Sequence, residues 1–516
     1  MKIHVLSTSD VHGWILPDNF AGDHDAPFGL ARATTAIKEF KKQHPNDVVF
    51  VVDNGDFIQG SPMTNFIAQS HPEYVGLYQK LADEVGYDVR TLGNHEFNYG
   101  FEYLKKAVGD DAKIVDANVF KDGELFYEKP YTIIERDGVK VGFLGLTTEF
   151  ISNWERESNI PNMEFKNPVE IASQLVPEMR RNGAEYVVVM YHAGFEDDLN
   201  TGKPTEKLIG ENRGYELLQT VPGIDALVTG HQHRIIDQLV STPFGDVPTT
   251  QPGQKGAYVG VLSIDTETGA RSADLLETKD YKPDAQVIET VSELQGQLDE
   301  YLDTVIGEFD KDYLYDDYLS ARMNNHPIID LINRIQGEAV GAEISGNALF
   351  NNEVPGFKKE VTRRDIVVNY LFPNTAVAEV ITGKELLEAL EQSAHYFELD
   401  ENHQVMVNPH FIKPKVQHYN YDLFSGVNYT IDVSQPHEHR VSDVTVNGEP
   451  IDLNKEYKVA ISNYRANGTG GYDVFDMDKA VEENPKDIAE LLEDYLVANS
   501  PITLSEPNNI KVVNHK

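Results

Sequence analysis

KIHVLSTSDVHG, residues 2–13, is an apolar strand pattern that ends on an Asp and a His two positions apart. Four later stretches repeat that order: VVFVVDNGD (48–56), VRTLGNHE (89–96), VVVMYHAG (187–194) and ALVTGHQH (226–233). In each, a β-branched run leads straight into oxygen or nitrogen donors, and ligand sites of α/β sheets gather at that end of the strands. Further strand patterns fall at Ile114–Ala117 and Val141–Leu146, and apolar residues at helical spacing fill Leu30–Lys42, Val75–Val85 and Val169–Arg181. The alternation predicts an α/β architecture, a central sheet covered by helices. YTIIERDGVKVGFLGL (131–146) carries Asp137-Gly138 at its centre and predicts a hairpin, so the sheet is expected to be mixed. Residues 242–269 predict further hairpins that close the domain.

With 516 residues the chain exceeds one ordinary core, and two or three domains are expected. Apolar residues at Val287, Val291, Leu294, Leu298 and Leu302 among many acids predict a long exposed helix linking two domains. The expected division is 1–280, a linker helix at 281–306, and a second α+β unit at 307–516. Acidic residues number 84 against 44 basic ones, a formal charge of −40. That surface repels polymeric nucleic acid and anionic membranes, so neither is an expected partner, and a small anion needs local positive charge to bind. The chain starts without a basic segment followed by an apolar one and has no bilayer-length apolar run. A cytoplasmic protein is the expectation.

The chain has no cysteine, so a metal must sit on His, Asn and carboxylates. Taken singly, each donor has an ordinary explanation. An Asp after a strand caps helices and forms turns, and a lone strand-end His is usually hydrogen-bonded at the surface. His231-Gln232-His233 is stronger, because on extended backbone both rings point to one side. Five donor-bearing strand ends together point to two divalent cations, of the Zn, Mn, Fe or Co type. An Asp shared between the two is the usual way to hold them ~4 Å apart, and Asp56 is the candidate bridge.

SDVHG (9–13), NGDFIQGSP (54–62), LGNHEFNYG (92–100), YHAGF (191–195) and TGHQH (229–233) resemble, in order, the five blocks of the calcineurin-like metallophosphoesterases. YLFPNTAVAEVITGKELLEALEQSA (370–394), YNYDLFSGVNYTIDVS (419–434) and ISNYRANGTGGYDVF (461–475) resemble the C-terminal domain of the 5′-nucleotidase family. The resemblance implies a four-layer metallophosphatase sandwich, mixed sheets flanked by helices, followed by the linker helix and an α+β C-terminal domain. It implies that Asp10, His12, Asp56 and His233 hold one metal and that Asp56, Asn94, His192 and His231 hold the other. It gives His95 the place of the histidine facing the substrate phosphate, with Asn98 orienting it. Tyr421 and Tyr464 match an aromatic pair that clamps the nucleobase, and rotation about the linker would carry substrate to the metals.

Three departures select a branch. Where 5′-nucleotidases have an Asp three residues after the phosphate-facing His, this chain has Asn98. The stretch Ser345–Phe350 lacks the Arg that grips a 5′-phosphate, and Gly470 stands where an Asp holds the ribose. The implied function is hydrolysis of small nucleotides by a 2′,3′-cyclic-nucleotide 2′-phosphodiesterase/3′-nucleotidase, acting as a monomer or weak oligomer. A 5′-nucleotidase or UDP-sugar hydrolase, and a non-catalytic nucleotide-binding protein, are the alternatives.

Overall fold

Val48–Asp53 is buried along its whole length, as the unbroken apolar run VVFVVD requires of a strand covered on both faces. It pairs in parallel with Lys2–Thr8 on one side and with Val89–Arg90 on the other. The computed structural model describes residues 1–20, 22–109, 113–206, 208–370, 372, 374–413 and 415–515; Leu371 and Pro373 of the YLFPNTAV block lie outside the described residues. It divides into two compact units, Met1–Leu298 and Asp299–Lys516.

The first unit contains two mixed sheets. One runs in the order Arg271–Glu277, Tyr258–Asp265, Lys2–Thr8, Val48–Asp53, Val89–Arg90; the other Ile235–Thr242, Gly245–Pro252, Ala226–Thr229, Tyr186–His192, Val139–Thr147, Tyr131–Arg136. Their inner faces share a core that includes Val5, Phe50, Val52, Phe143, Val188 and Val228. Phe50 and Phe143 meet there edge to face, 5.1 Å between ring centres. Helix Pro168–Arg181 buries Ala172, Val176 and Met179 in a second core on the outer face of the second sheet. The Asp137-Gly138 hairpin forms with Arg136 opposite Val139, and both turn residues have positive φ (51° and 81°). That is the twist-matched two-residue turn.

Four local expectations are corrected. Ile114–Ala117 does not form a strand; it is buried and bridges the sheets instead. Val115 N donates to Arg90 O, and Ala117 N donates to Gly145 O, each at 2.9 Å. The strand at 89 ends at Arg90, where the chain turns toward Asn94. The helical pattern at 75–85 breaks at Gly76, and the helix starts at Leu77. The helix expected to link domains spans Ala285–Leu302, and the unit division falls within it, at Leu298. It is exposed on one face only: Val287, Val291, Leu294 and Leu298 are buried, and Gln297 Nε2 donates to Tyr74 OH at 2.9 Å in the first unit.

The second unit has a five-stranded mixed sheet in the order Asp422–Ser425, Ile344–Ala348, Glu456–Ser462, Thr375–Thr382, Ala480–Asp487. Helix Gly383–Ala394 starts on a capping box, the Thr382 side chain with Glu385, and helix Pro327–Val340 ends on left-handed Gly341. Arg363 and Arg364 are spent on structure: Arg363 donates to Glu493, and Arg364 to Asp299 and Asp303. Among the described residues no helix is long and apolar enough to cross a membrane.

Both tryptophans, Trp14 and Trp154, lie in the first unit, so their fluorescence reports its unfolding. Phe143→Ala, which opens a cavity between the sheets, is expected to lower that unit's stability by about 3–5 kcal/mol. Phe244→Ala, at a side chain 52% exposed, should stay within about 0.5 kcal/mol of the parent in the same urea titration. Equal effects would place the core elsewhere.

Candidate active site

Five of the seven expected ligands sit on strained backbone: φ is 55° at Asp10, 51° at His12, 56° at Asp56, 67° at His231 and 55° at His233. Non-glycine residues adopt that region rarely, and each instance costs of order 1–3 kcal/mol unless the surroundings enforce it. Here they do. Asp10 N donates to Gly55 O at 3.0 Å, His12 N to Asp56 O at 2.7 Å, and His231 N to Asp10 Oδ1 at 2.9 Å. Glu96, which the sequence reading passed over, accepts from the backbone N–H of Asp56, Phe57, Ile58 and Gly93 at 2.6–3.4 Å. One buried carboxylate thus ties the 56 loop to the 93 loop. Gly93 is required by closeness: a Cβ there would lie 2.2 Å from Asp56 Oδ1 and 2.7 Å from His192 Cε1.

The side chains converge. His12 Nε2 lies 3.0 Å from His233 Nε2 and 3.7 Å from Asp56 Oδ2. Asp10 Oδ1 is 3.4 Å from His233 Nε2 and 3.9 Å from His192 Nε2. Asp56 Oδ2 is 3.1 Å from His192 Nε2. Asn94 Oδ1 is 3.2 Å from His192 Nε2 and 2.9 Å from His231 Nδ1. Two triads, Asp10 with His12 and His233 and Asp10 with Asp56 and His192, have ligand atoms within 4.8 Å of one another.

The far side of each ring fixes which nitrogen faces inward. His12 Nδ1 donates to Gln59 O at 2.9 Å, and His192 Nδ1 to Asn54 O at 2.6 Å. His231 Nε2 donates to Glu211 Oε1 at 2.9 Å, another partner the sequence did not disclose. In the neutral rings this leaves lone pairs on His12 Nε2, His192 Nε2 and His231 Nδ1, all aimed at carboxylate or amide oxygens. Acceptors facing acceptors in a buried space need a proton or a cation between them. The buried Asp56 Oδ2 atom, which makes no hydrogen bond, is the sharpest sign. The residues present therefore fit a divalent pair.

The charges agree. Burial acts to raise Asp10, but the hydrogen bond and charge of His233 and the charge of His192 hold it down at about 2. Asp56 is likewise held well below the carboxylate range against burial, chiefly by His192 and His95. Burial, helped by the charges of His233 and His95, takes His12 down to about 3, whereas Asp56 overrides burial at His192 and pushes it up to about 10. The pocket is organised to retain positive charge between its two carboxylates.

His95 stands beside this cluster, its backbone N–H donating to Asp56 Oδ1 at 2.8 Å and its ring edge-on to His12 at 5.1 Å. It is only half-buried. Asn98 lies where expected, its Oδ1 2.6 Å from His95 Nδ1.

In the second unit one expected residue is corrected. Tyr421 is fully buried, stacked on Tyr396 at 4.4 Å, and its hydroxyl donates to Arg322 O at 2.8 Å. Buried in this way, the ring offers no face to a ligand. The ring that meets Tyr464 is Tyr419, two positions earlier, with ring centres 6.4 Å apart. Tyr464 is 38% exposed. The segments carrying this pair are tied by a buried bidentate ion pair, Arg465 to both oxygens of Asp422 at 2.7 and 2.9 Å. Arg465 Nη2 also donates to Tyr419 O at 3.0 Å. A Cβ on Gly470 would lie 2.4 Å from the buried, unbonded Asn420 Oδ1. The sequence signal for Tyr419 was the other tyrosine of YNY; it lies in the short helical turn His418–Asn420 that Tyr421 follows, and the motif alone does not choose between the two rings.

Comparison with known proteins agrees with this geometry. Residues 3–234 match the calcineurin-like phosphoesterase family, and residues 305–477 match the 5′-nucleotidase, C-terminal domain. The chain is 30% identical to the 2′,3′-cyclic-nucleotide 2′-phosphodiesterase/3′-nucleotidase of Yersinia enterocolitica, over 90% of this chain and 80% of that one. It is 26% identical to the trifunctional nucleotide phosphoesterase protein YfkN of Bacillus subtilis over 99% of its own length, and spans 39% of that relative. A Staphylococcus aureus crystal structure in complex with alpha-ketoglutarate superposes with a TM-score of 0.88 at 36% identity, covering 100% of both chains. The chain belongs to the calcineurin-like phosphoesterase family, joins that domain to a 5′-nucleotidase C-terminal domain, and is a hydrolase of phosphoric esters.

Proposed function

We propose that this hydrolase is a 2′,3′-cyclic-nucleotide 2′-phosphodiesterase/3′-nucleotidase that works with two divalent cations. The observation that carries the metal chemistry is the unbonded, buried Asp56 Oδ2 at the meeting point of His12 and His192. Asp10, His12, Asp56 and His233 would hold one cation, and Asp56, Asn94, His192 and His231 the other. When bound, such a pair supplies Lewis-acid charge for the phosphoryl oxygens and makes bound water acidic enough to attack at neutral pH.

The chain's own residues supply the rest. The neutral His95 ring donates its Nδ1–H to Asn98, so Nε2 is the atom available to the phosphate and the leaving oxygen. With a 2′,3′-cyclic nucleotide, water adds to phosphorus, the P–O2′ bond breaks and a proton goes to O2′, leaving a 3′-phosphate. A second hydrolysis at the 3′ oxygen releases nucleoside and phosphate. Gly470 suits this substrate. A carboxylate at that place would accept from free ribose hydroxyls, and in the cyclic ester both oxygens are bonded to phosphorus with no hydrogen to give. Tyr419 and Tyr464 offer aromatic faces to the base, which gives affinity with little base selectivity. Relatives with this activity, at 30% identity over most of the chain, support the reading.

A kinetic panel of 2′,3′-cyclic AMP, 3′-AMP, 5′-AMP and UDP-glucose, each with Mn, Co and Zn, tests the assignment. The first two should exceed 5′-AMP and UDP-glucose in kcat/KM by roughly tenfold or more, the discrimination given by one well-placed polar contact. Preference for 5′-AMP would overturn it. Tyr464→Ala and Tyr419→Ala should each raise KM about 5- to 150-fold, from ~1–3 kcal/mol of lost stacking, with kcat nearly kept. Tyr421→Leu should leave KM unchanged and lower only thermal stability. A KM rise in Tyr421→Leu equal to that in Tyr419→Ala would restore Tyr421 to the clamp.

A further inference from the structure

Asn98 is an amide where a carboxylate would hold the histidine by charge, and an amide can present either of its ends. Its orientation in this chain is imposed from behind. Asn98 Nδ2 lies 2.6 Å from Glu155 Oε2. An ionised carboxylate only accepts, so the amide must turn its N–H group to Glu155 and its oxygen to His95. That oxygen, 2.6 Å from His95 Nδ1, in turn requires the proton on Nδ1 and leaves Nε2 facing outward. The three side chains form one directional chain in which each donor and acceptor is determined by the carboxylate at its end.

Glu155 is itself fixed. Its Oε1 accepts from Asn159 Nδ2 at 2.7 Å and from Arg156 N at 2.9 Å, and Asn159 Nδ2 also reaches Asn98 O at 2.9 Å. The preceding residue, Trp154, stacks on the ring of His231 with centres 5.3 Å apart. The short helical turn Glu149–Asn153 leads directly into both contacts. One segment therefore braces a metal-ligand histidine with Trp154 and the phosphate-facing histidine with Glu155.

We propose that Glu155 is a positioning residue for the reaction. Through the amide of Asn98 it selects the Nδ1–H tautomer and the ring orientation of His95, and it restores at one remove the negative charge that an aspartate at 98 would supply directly. The inference rests on the reading of His95 given above. It predicts that the charge can be moved along the chain, provided one partner remains a donor. Asn98→Asp alone sets two carboxylates face to face at hydrogen-bond distance. Asn98→Asp with Glu155→Gln places the carboxylate next to His95 and an amide N–H behind it, which satisfies every partner again.

The test is steady-state hydrolysis of 3′-AMP and 2′,3′-cyclic AMP by His95→Asn, Glu155→Ala, Glu155→Gln, Asn98→Asp and the Asn98→Asp/Glu155→Gln double variant. Melting curves followed by tryptophan fluorescence confirm folding. His95→Asn should be inactive. Glu155→Ala should lose roughly tenfold or more in kcat with KM nearly kept, the scale of removing a group that orients a working histidine. Glu155→Gln should lose less, because its carbonyl can still accept from Asn98, although its NH2 then meets the N–H groups of Asn159 and Arg156. Asn98→Asp should fall at least as far as Glu155→Ala, and the double variant should recover most of the parental kcat. A merely structural role for Glu155 moves melting temperature without this pattern of loss and rescue. Wild-type kcat in Glu155→Ala alongside an inactive His95→Asn would overturn the role of Glu155 alone. A double variant no better than Asn98→Asp would do the same, even if Glu155→Ala proved unstable. Full activity in His95→Asn would instead remove the reading on which the inference stands.

Discussion

A carboxylate can serve two cations only if the protein leaves one of its oxygens unspent, and the fold meets that condition at Asp56 Oδ2 through Glu96. The loop after Val48–Asp53 must be gripped somewhere, and the obvious grip would be the Asp side chain itself, capping its own turn. Instead the backbone N–H groups of Asp56, Phe57 and Ile58 all go to Glu96, which also takes Gly93 N. Asp56 keeps Oδ2 free. Glu96 bears the consequence: burial and then the charge of Asp56 push its carboxyl up, and the four backbone donors are what make it tenable there.

The left-handed backbone at Asp10, His12, Asp56, His231 and His233 follows from the same requirement. Donors leaving parallel strands diverge unless each loop turns back sharply over the strand end. Positive φ makes that turn within one residue, and the bonds between loops, Asp10 to Gly55 and His12 to Asp56, hold it. Strain of this kind persists only in a well-packed frame. The frame is the pair of sheets sharing the core around Phe50 and Phe143.

The clustering of the expected ligands was legible from sequence because they lie at or shortly after the ends of apolar strands, so a one-dimensional pattern carried the three-dimensional placement. Asp10, His12, Asp56, Asn94, His192, His231 and His233 all reach one cluster. What was not legible depends on contacts between segments far apart in the chain. Glu155 meets Asn98 across 57 residues, and Glu211 meets His231 across 20. Neither carries a local pattern that separates it from the other acids of a chain with 84. Tyr421 was misread because motif order does not report which way a side chain points, and the bond from its hydroxyl to Arg322 O spans 99 residues. The helix Ala285–Leu302 showed its apolar stripe plainly; that the stripe is buried rather than exposed required the tertiary partners Tyr74 and Glu84.

The central claim is that two cations share Asp56. Its most direct test is metal analysis of the protein stripped by chelator, reloaded with Mn and freed of excess by gel filtration. The account predicts two ions per chain for the parent, and at most one for Asp56→Asn at unchanged melting temperature of the metal-free form. A parent that retains none, or an Asp56→Asn variant that retains both, would contradict it.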